Sequence, residues 1–322
     1  MTGRRAHWGP RALALAALAG SLLVLLATGA ITSVASGGAA ARPVVREYWV
    51  AAVPVTWNVV PNERDAIEGE RFLPAQTVMR TVAYRQFTKD FGQQLPNGPG
   101  NPGLQGPLLH ARVGDKLVVH FRNLDTLTNH PHSMHFHGVR YRFGSDGAYI
   151  PGFSGPGANV KPGETFTYRF EAGAGARGVW PYHDHSPSMM ESIEGGMYGA
   201  LSVLGRDEDP PDREFVVYLG GQLGFNTING RAFVGNTPVF RAKVGDVVQW
   251  DVLAIGSDFH TFHVHGHRWI QPDGTPRDTQ VIGPAESFHV RWREDMPGTW
   301  LYHCHVEEHM MNGMIAIYRV SR

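Results

Sequence analysis

Downstream of Glu47 the apolar and polar positions alternate with a period of two, in short blocks separated by turn residues. Val113-Gly114-Asp115 leads into one such block at 116–121, and Val160-Lys161-Pro162-Gly163-Glu164 leads into another at 165–170. Further blocks lie at 214–219 and 247–252, and no long segment repeats at the 3.6-residue helical period. Short strands at this spacing predict an all-β sandwich or barrel. The Gly/Pro-rich stretch 89–107 predicts a long surface loop. The N-terminus follows a different rule. Arg4, Arg5 and Arg11 precede a continuous apolar run over 12–31, and small residues including Ala39-Ala40-Ala41 come next. Residues 1–42 are therefore expected to be an export signal cleaved near Ala41, with Arg4-Arg5 pointing to the twin-arginine route. A retained membrane anchor is the alternative, because about 20 apolar residues can span a bilayer.

Composition narrows the picture in three places. The 39 Gly and 22 Pro fit a fold rich in turns, and a 42% hydrophobic content excludes a disordered chain. Basic and acidic residues number 29 each, so nothing suggests a nucleic-acid partner. Among 322 residues there are 17 His and a single Cys, so no intrachain disulfide is possible and the thiol becomes a candidate for chemistry.

The chain repeats itself. Val113-Gly114-Asp115 recurs as Val244-Gly245-Asp246, and His132-Ser133-Met134-His135-Phe136-His137-Gly138 recurs as His260-Thr261-Phe262-His263-Val264-His265-Gly266. Pro162-Gly163-Glu164-Thr165-Phe166 recurs as Pro284-Ala285-Glu286-Ser287-Phe288, and Trp180-Pro181-Tyr182-His183-Asp184-His185 as Trp300-Leu301-Tyr302-His303-Cys304-His305. Four blocks in the same order predict two copies of one β-sandwich, at 43–205 and 214–322. The charged, Pro-containing segment 206–213 links them.

Residues i and i+2 of a strand share a face about 7 Å apart, so each His-x-His pair can present two imidazoles side by side. His135/His137, His183/His185, His263/His265 and His303/His305 make such pairs. Eight neutral imidazoles suit several copper ions better than one tetrahedral zinc. Cys304, between His303 and His305, must face the other way, and His260, three residues before His263, faces away from its own pair. With His309 and Met314 downstream they compose two His, one thiolate and a distant Met, the ligand set of a blue-copper electron-transfer site. In the first half Asp184 stands at the Cys304 position and Met189 at the His309 position, so only the second half can build that site.

The run His303-Cys304-His305-Val306-Glu307-Glu308-His309 with Gly313-Met314, together with His260-Thr261-Phe262-His263-Val264-His265-Gly266-His267, resembles the copper signatures of multicopper oxidases. A repeat with the mononuclear site in the second half resembles the two-domain bacterial small laccases. The resemblance implies two cupredoxin-like Greek-key β-sandwich domains in tandem and a homotrimer whose trinuclear cluster lies between subunits. It implies type 1 copper on His260, Cys304, His309 and axial Met314, and type 2 copper on His135 and His263. The type 3 pair would sit on His137, His183, His185, His265, His303 and His305. The implied reaction couples four one-electron oxidations of phenolic or similar aromatic donors to reduction of O₂ to water, in a secreted or cell-envelope protein with no membrane attachment after signal removal. Electrons would pass from Cys304 along the peptide bonds to His303 and His305. Asp146 is a candidate proton relay and Tyr141 a candidate redox-active residue, each by its match to positions near the cluster in small laccases. His267 is expected to support the ligands. His110, His120, His130 and His289 are expected to be surface or hydrogen-bonded residues. The Met189-Met190 and Met310-Met311 pairs are expected in core or loop positions. A Cu(I) or Mn(II) oxidase shares the same copper apparatus and is the alternative. A copper nitrite reductase fits less well, because it carries its Cys ligand in the first domain and needs fewer histidines.

Overall fold

The computed structural model describes residues 42–96, 103–271 and 273–322. The expected export signal lies almost entirely outside them. No helix among the described residues is long and apolar enough to cross a membrane. Four main sheets carry the structure. In spatial order, the first sheet contains Val78–Phe87, Val45–Asn58, Lys116–Asn123 and Thr165–Glu171; the facing sheet contains Leu108–Arg112, Tyr198–Leu204, Gly178–His183 and His135–Phe136. The second pair repeats this plan. Phe225–Ile228, Arg213–Gln222, Val247–Ala254 and Ser287–Arg293 form one sheet; Val239–Lys243, Ile315–Ser321, Gly298–Cys304, His260–Val264 and Thr279–Ile282 form the other. The chain is thus all-β, with two sandwiches in tandem.

The alternation in sequence becomes the two faces of each strand. In Val239–Lys243 the side chains of Phe240 and Ala242 are buried while Val239, Arg241 and Lys243 are exposed. Tyr84, Phe121, Tyr168 and Leu201 fill the first core, and Trp250, Phe262, Tyr302 and Tyr318 the second. The expected strands all form, and run one to four residues further than their apolar blocks, for example Arg213–Gln222 against 214–219.

Val179, Tyr198 and Ala200 of the first sandwich pack on Val216, Tyr218 and Leu253 of the second. The segment joining the sandwiches is anchored rather than slack. Glu208 accepts hydrogen bonds from Arg177 (2.8 and 2.9 Å) and pairs with Arg291 (3.0 Å), while the Arg112 guanidinium donates to the carbonyls of Gly205, Arg206 and Glu208. The expected surface loop at 89–107 needs correction at its far end. Residues 103–107 are buried, because the buried Arg85 donates to the Leu104 and Gln105 carbonyls and draws the chain inward.

The repeat extends to backbone conformation. Gly138 and Gly266, each ending a His-x-His-Gly run, have φ of 71° and 72°. A methyl group on Gly138 would come within 2.0 Å of the Trp180 indole, and one on Gly266 within 2.9 Å of Trp300. The left-handed backbone and the covering indole together require glycine at both places.

Candidate metal centre

Identical strand pairing places the histidines in both halves. His135 pairs with His183 and Phe136 with Tyr182; His263 pairs with His303 and Val264 with Tyr302. The turn after each strand is fixed the same way, by His137 N–H donating to the Pro181 carbonyl and His265 N–H to that of Leu301. Each half therefore gathers a quartet. In the first, the His135 ring lies 5.1, 5.5 and 5.4 Å from those of His137, His183 and His185. In the second, the His263 ring lies 5.2, 5.5 and 5.6 Å from those of His265, His303 and His305.

Hydrogen bonds fix the tautomers. The Nδ1 atoms of His135, His183, His263 and His303 approach the carbonyl oxygens of Asp146 (2.7 Å), Asp184 (2.9 Å), Asp278 (2.6 Å) and Cys304 (2.8 Å). A carbonyl only accepts, so each Nδ1 carries the proton and each Nε2 offers its lone pair. The Nε2 atoms meet as ligand atoms do, at 3.1 Å between His137 and His183 and 3.1 Å between His265 and His303. Burial, reinforced by the neighbouring imidazoles, pushes His137 down to about 4. Burial likewise brings His183 and His303 to about 4, against an opposing carbonyl hydrogen bond. All three are neutral and ready to ligate at neutral pH.

The opposite side of the Gly298–Cys304 strand holds a second constellation. Cys304 Sγ lies 3.9 Å from His260 Nδ1 and 3.8 Å from His309 Nδ1, and those two nitrogens are 3.2 Å apart. The point equidistant from the three atoms lies about 2.1 Å from each, close to a metal–ligand bond length. Here Nδ1, not Nε2, faces the ligand position. Met314 is buried in the same core, its carbonyl accepting from the Cys304 N–H and its N–H donating to the His309 carbonyl. The Thr261 N–H donates to Cys304 Sγ at 3.3 Å. Burial, then His309, holds His260 at about 4. Two imidazoles, a buried thiol and a nearby thioether make a donor set that fits copper.

The corresponding position in the first half is occupied by a buried polar network. Asp184 accepts from the Ser133 N–H (2.7 Å), as Cys304 does from Thr261, and from the Ser186 hydroxyl (2.7 Å). His132, the counterpart of His260, lies between Asp184 (3.3 Å) and Asp125 (3.2 Å). Burial disfavours charge on His132, but the two carboxylates outweigh it and raise its pKa. The equivalence of Met189 with His309 is a sequence expectation that the structure revises. The Met197 N–H donates to the Ser192 carbonyl, as that of Met314 does to His309, so Ser192 holds the His309 place.

Tyr141 lies edge-on to His135 with ring centres 6.1 Å apart, and the Asp146 carboxylate is 3.6 Å from His135 Nδ1. Burial, then the Asp146 charge, pushes the Tyr141 hydroxyl up to about 12. His267 bonds the His265 carbonyl (2.7 Å) and Glu294 (3.0 Å), supporting the second quartet through its backbone. His110, His120 and His130 bond Glu214, Thr167 and Ser188 as expected. His289 departs from that expectation, since its buried Nδ1 has no partner. Met190 is not in the core: it is 75% exposed and lines a cleft beside His260 and His309. Sequence reasoning missed Asp125, Ser133 and Ser186, whose role appears only when the fold brings them to Asp184.

Two multicopper oxidase family models match residues 89–208 and 208–322, in succession from the end of the second strand onward. The chain belongs to the multicopper oxidase family. Its members are copper-dependent oxidoreductases, which agrees with the His/Cys groups above. It is 36% identical to a probable nitrite reductase-hydroxylamine oxidoreductase fusion protein of Kuenenia stuttgartiensis, over 68% of this chain and 28% of that protein. It is 28% identical to the Homo sapiens ferroxidase HEPHL1, over 86% of this chain and 29% of that one. Rattus norvegicus ceruloplasmin gives 28% identity over 85% of this chain and 31% of its own length. The chain thus spans less than a third of these curated relatives. Among solved structures, one titled as a multicopper oxidase covers 86% of this chain and 89% of its own, with a TM-score of 0.66 and 26% identity. The blue copper oxidase from Nitrosomonas europaea gives 0.64 and 26%, covering 86% of each chain.

Proposed function

We propose that this multicopper oxidase is a two-domain laccase, coupling one-electron oxidation of small phenolic or similar aromatic donors to reduction of O₂ to water. The observation that carries the reading is the strand Gly298–Cys304 and the residue after it: Cys304 faces His260 and His309, while His303 and His305, one peptide bond away on either side, face the second quartet. One covalent path therefore joins a site built to accept single electrons to a site built to collect them. Type 1 copper on His260, Cys304, His309 and Met314, type 2 on His135 and His263, and a type 3 pair on the other six quartet histidines would supply the electron-transfer and O₂-reducing chemistry.

The chain's own residues contribute orientation and proton control. Carbonyl bonds hold four imidazoles in the ligating tautomer, the Thr261 N–H faces the sulfur, and Asp146 sits beside His135 where it can hold a proton. Among the described residues, no ring contact or hydrogen bond joins one quartet to the other. This supports clusters completed between chains of a homotrimer. The export-signal pattern of residues 1–42 supports a secreted or cell-envelope location. A metal ion as donor is the second reading, favoured by similarity to proteins named as ferroxidases.

The test is O₂ uptake by copper-loaded protein with a methoxyphenol, with peroxide recorded. We expect blue protein, uptake and no peroxide accumulation. Blue, fully metallated protein that takes up no O₂ with the phenol overturns the laccase reading.

A further inference from the structure

His267 and Glu294 form a buried pair beneath the second quartet, 7% and 1% exposed, with Nε2 3.0 Å from Oε1. Donors surround the carboxylate. Its Oε1 also accepts from the amides of Asp295 and Met296, both at 3.1 Å, and its Oε2 from the Trp292 indole (3.0 Å) and the Tyr318 hydroxyl (2.6 Å). Amide and indole N–H groups only donate, so both oxygens act as acceptors and His267 Nε2 must donate as well. On its other side His267 Nδ1 lies 2.7 Å from the His265 carbonyl, which only accepts. Both ring nitrogens are therefore donors, and the imidazole ties a buried carboxylate to the backbone of a quartet residue.

The first sandwich closes without any of this. The Gly114 and Gly245 N–H groups donate to the carbonyls of Ala172 and Glu294, which makes those two residues equivalent. Trp180 pairs with Leu201 as Trp300 does with Tyr318, and Leu117 with Phe170 as Val248 does with Trp292. Val139 follows His137-Gly138 where His267 follows His265-Gly266. Val139, Phe170, Ala172 and Leu201 thus fill the space that a charged pair, an indole and a phenol fill in the second half. Val139 offers the His137 carbonyl no donor. Burying a charge pair costs desolvation, and replacing one by apolar residues is often neutral or stabilising. Closing the sandwich is therefore not what the pair is for.

We propose that Glu294 is a positioning residue for the oxidase reaction. Acting through His267, it fixes the His265 backbone and with it the direction of the His265 imidazole, whose Nε2 lies 3.1 Å from that of His303. The inference rests on the reading of the quartets as copper sites. It makes the two quartets unequal: a charge-assisted chain of hydrogen bonds anchors His265, and nothing of the kind anchors His137.

The experiment titrates the copper-loaded full chain with a Cu(II) chelator. Metal analysis counts the copper retained, and the blue band follows the mononuclear site separately. Loss of a group that orients a metal ligand costs about 10–100-fold in metal affinity. Glu294→Gln should therefore weaken quartet copper on the order of tenfold, and His267→Val by about 10–100-fold, with the blue band lost at the wild-type chelator concentration. Adding Glu294→Ala to His267→Val should change the affinity by less than about twofold, because the two residues act in series. That double variant carries the first half's own residues at both positions, so the fold has a precedent for accepting it. Tyr318→Phe removes a different donor from Glu294; it should lower the unfolding midpoint and leave quartet copper in place. In copper-free protein, Glu294→Gln should shift the His265 imidazole NMR signals and leave those of His137 unmoved. Wild-type retention of quartet copper in Glu294→Gln, equal loss from both kinds of site, or additive losses in the double variant overturn the proposal. So does Tyr318→Phe releasing quartet copper as readily as Glu294→Gln, since that is a purely structural effect. Wild-type protein that holds no copper at the quartets instead removes the copper reading, and the His265 signals then decide the role of Glu294 by themselves: a shift supports it and no shift overturns it.

Discussion

Asp184 and Cys304 occupy one position in two copies of a fold, and each has collected the partners its chemistry needs. The thiol has two imidazole nitrogens within 3.9 Å. The carboxylate has two amides, two hydroxyls and an imidazole. Burial opposes ionisation of Asp184, but His132 and the serine donors hold it below the usual carboxylate range. Asp184→Ala leaves His132 beside a single carboxylate and frees the Ser133 amide, so it should destabilise the copper-free protein by about 3–5 kcal/mol. Asp184→Asn, which keeps some of the bonds, should cost less; urea unfolding of both variants checks the order. Because Ser133 Oγ accepts from the His185 N–H, Asp184→Ala should also broaden the EPR signal of copper bound at the quartets. Cys304→Ser should abolish the blue band and leave the quartet copper signal in place. The His-x-His pairs and Cys304 were legible because period-two geometry dictates their faces. The Asp125–His132–Asp184 triad was not, since its members belong to segments that only the closed sandwich brings together.

At the scale of elements, four strands could be read from alternation, because a half-buried strand must alternate to satisfy both faces, whereas Tyr198–Leu204 is buried on both and gives no such signal. Their ends could not, since backbone pairing continues past the last apolar residue. The connection after the His-x-His strand misled the comparison of halves. From Asp184 to Met197 it is three residues longer than from Cys304 to Met314. Counting forward from Asp184 therefore picks Met189, whereas the hydrogen bonds pick Ser192. The turn glycines give a sharper prediction. Gly138→Ala and Gly266→Ala each force a side chain into the left-handed region, at about 1–3 kcal/mol. The loss should be larger at Gly138, where the indole is nearer, and thermal unfolding of the two variants should rank them in that order.

For the whole molecule, acid is the informative perturbant. Burial at the joint between the sandwiches disfavours ionised Glu208, but the bonds from Arg177 and Gly205 and the Arg291 charge prevail, bringing it to about 2 from an ordinary 4.5. A depressed carboxylate contributes stability that is present above the unfolded value and is lost as pH falls from about 4.5 to about 2. Glu208→Gln should therefore flatten the pH dependence of unfolding in that window, measured by fluorescence at fixed denaturant. Assembly is tested by mixing. Chains carrying His135→Ala and chains carrying His263→Ala should recover part of the O₂ uptake when co-assembled, and no recovery would place each cluster within one chain. The cleft beside His260 and His309 could not be read from sequence at all, because its lining comes from separate segments of both halves.

The carboxylate triad in the first sandwich has a consequence for how the molecule matures. A domain whose interior is completed by its own acids and imidazole needs nothing from outside to close over, whereas its twin keeps a buried thiol facing two imidazoles. The first sandwich should therefore close without copper, whereas the second should gain stability when copper meets Cys304, His260 and His309. Copper supply is then expected to raise the stability of one half of the molecule far more than that of the other.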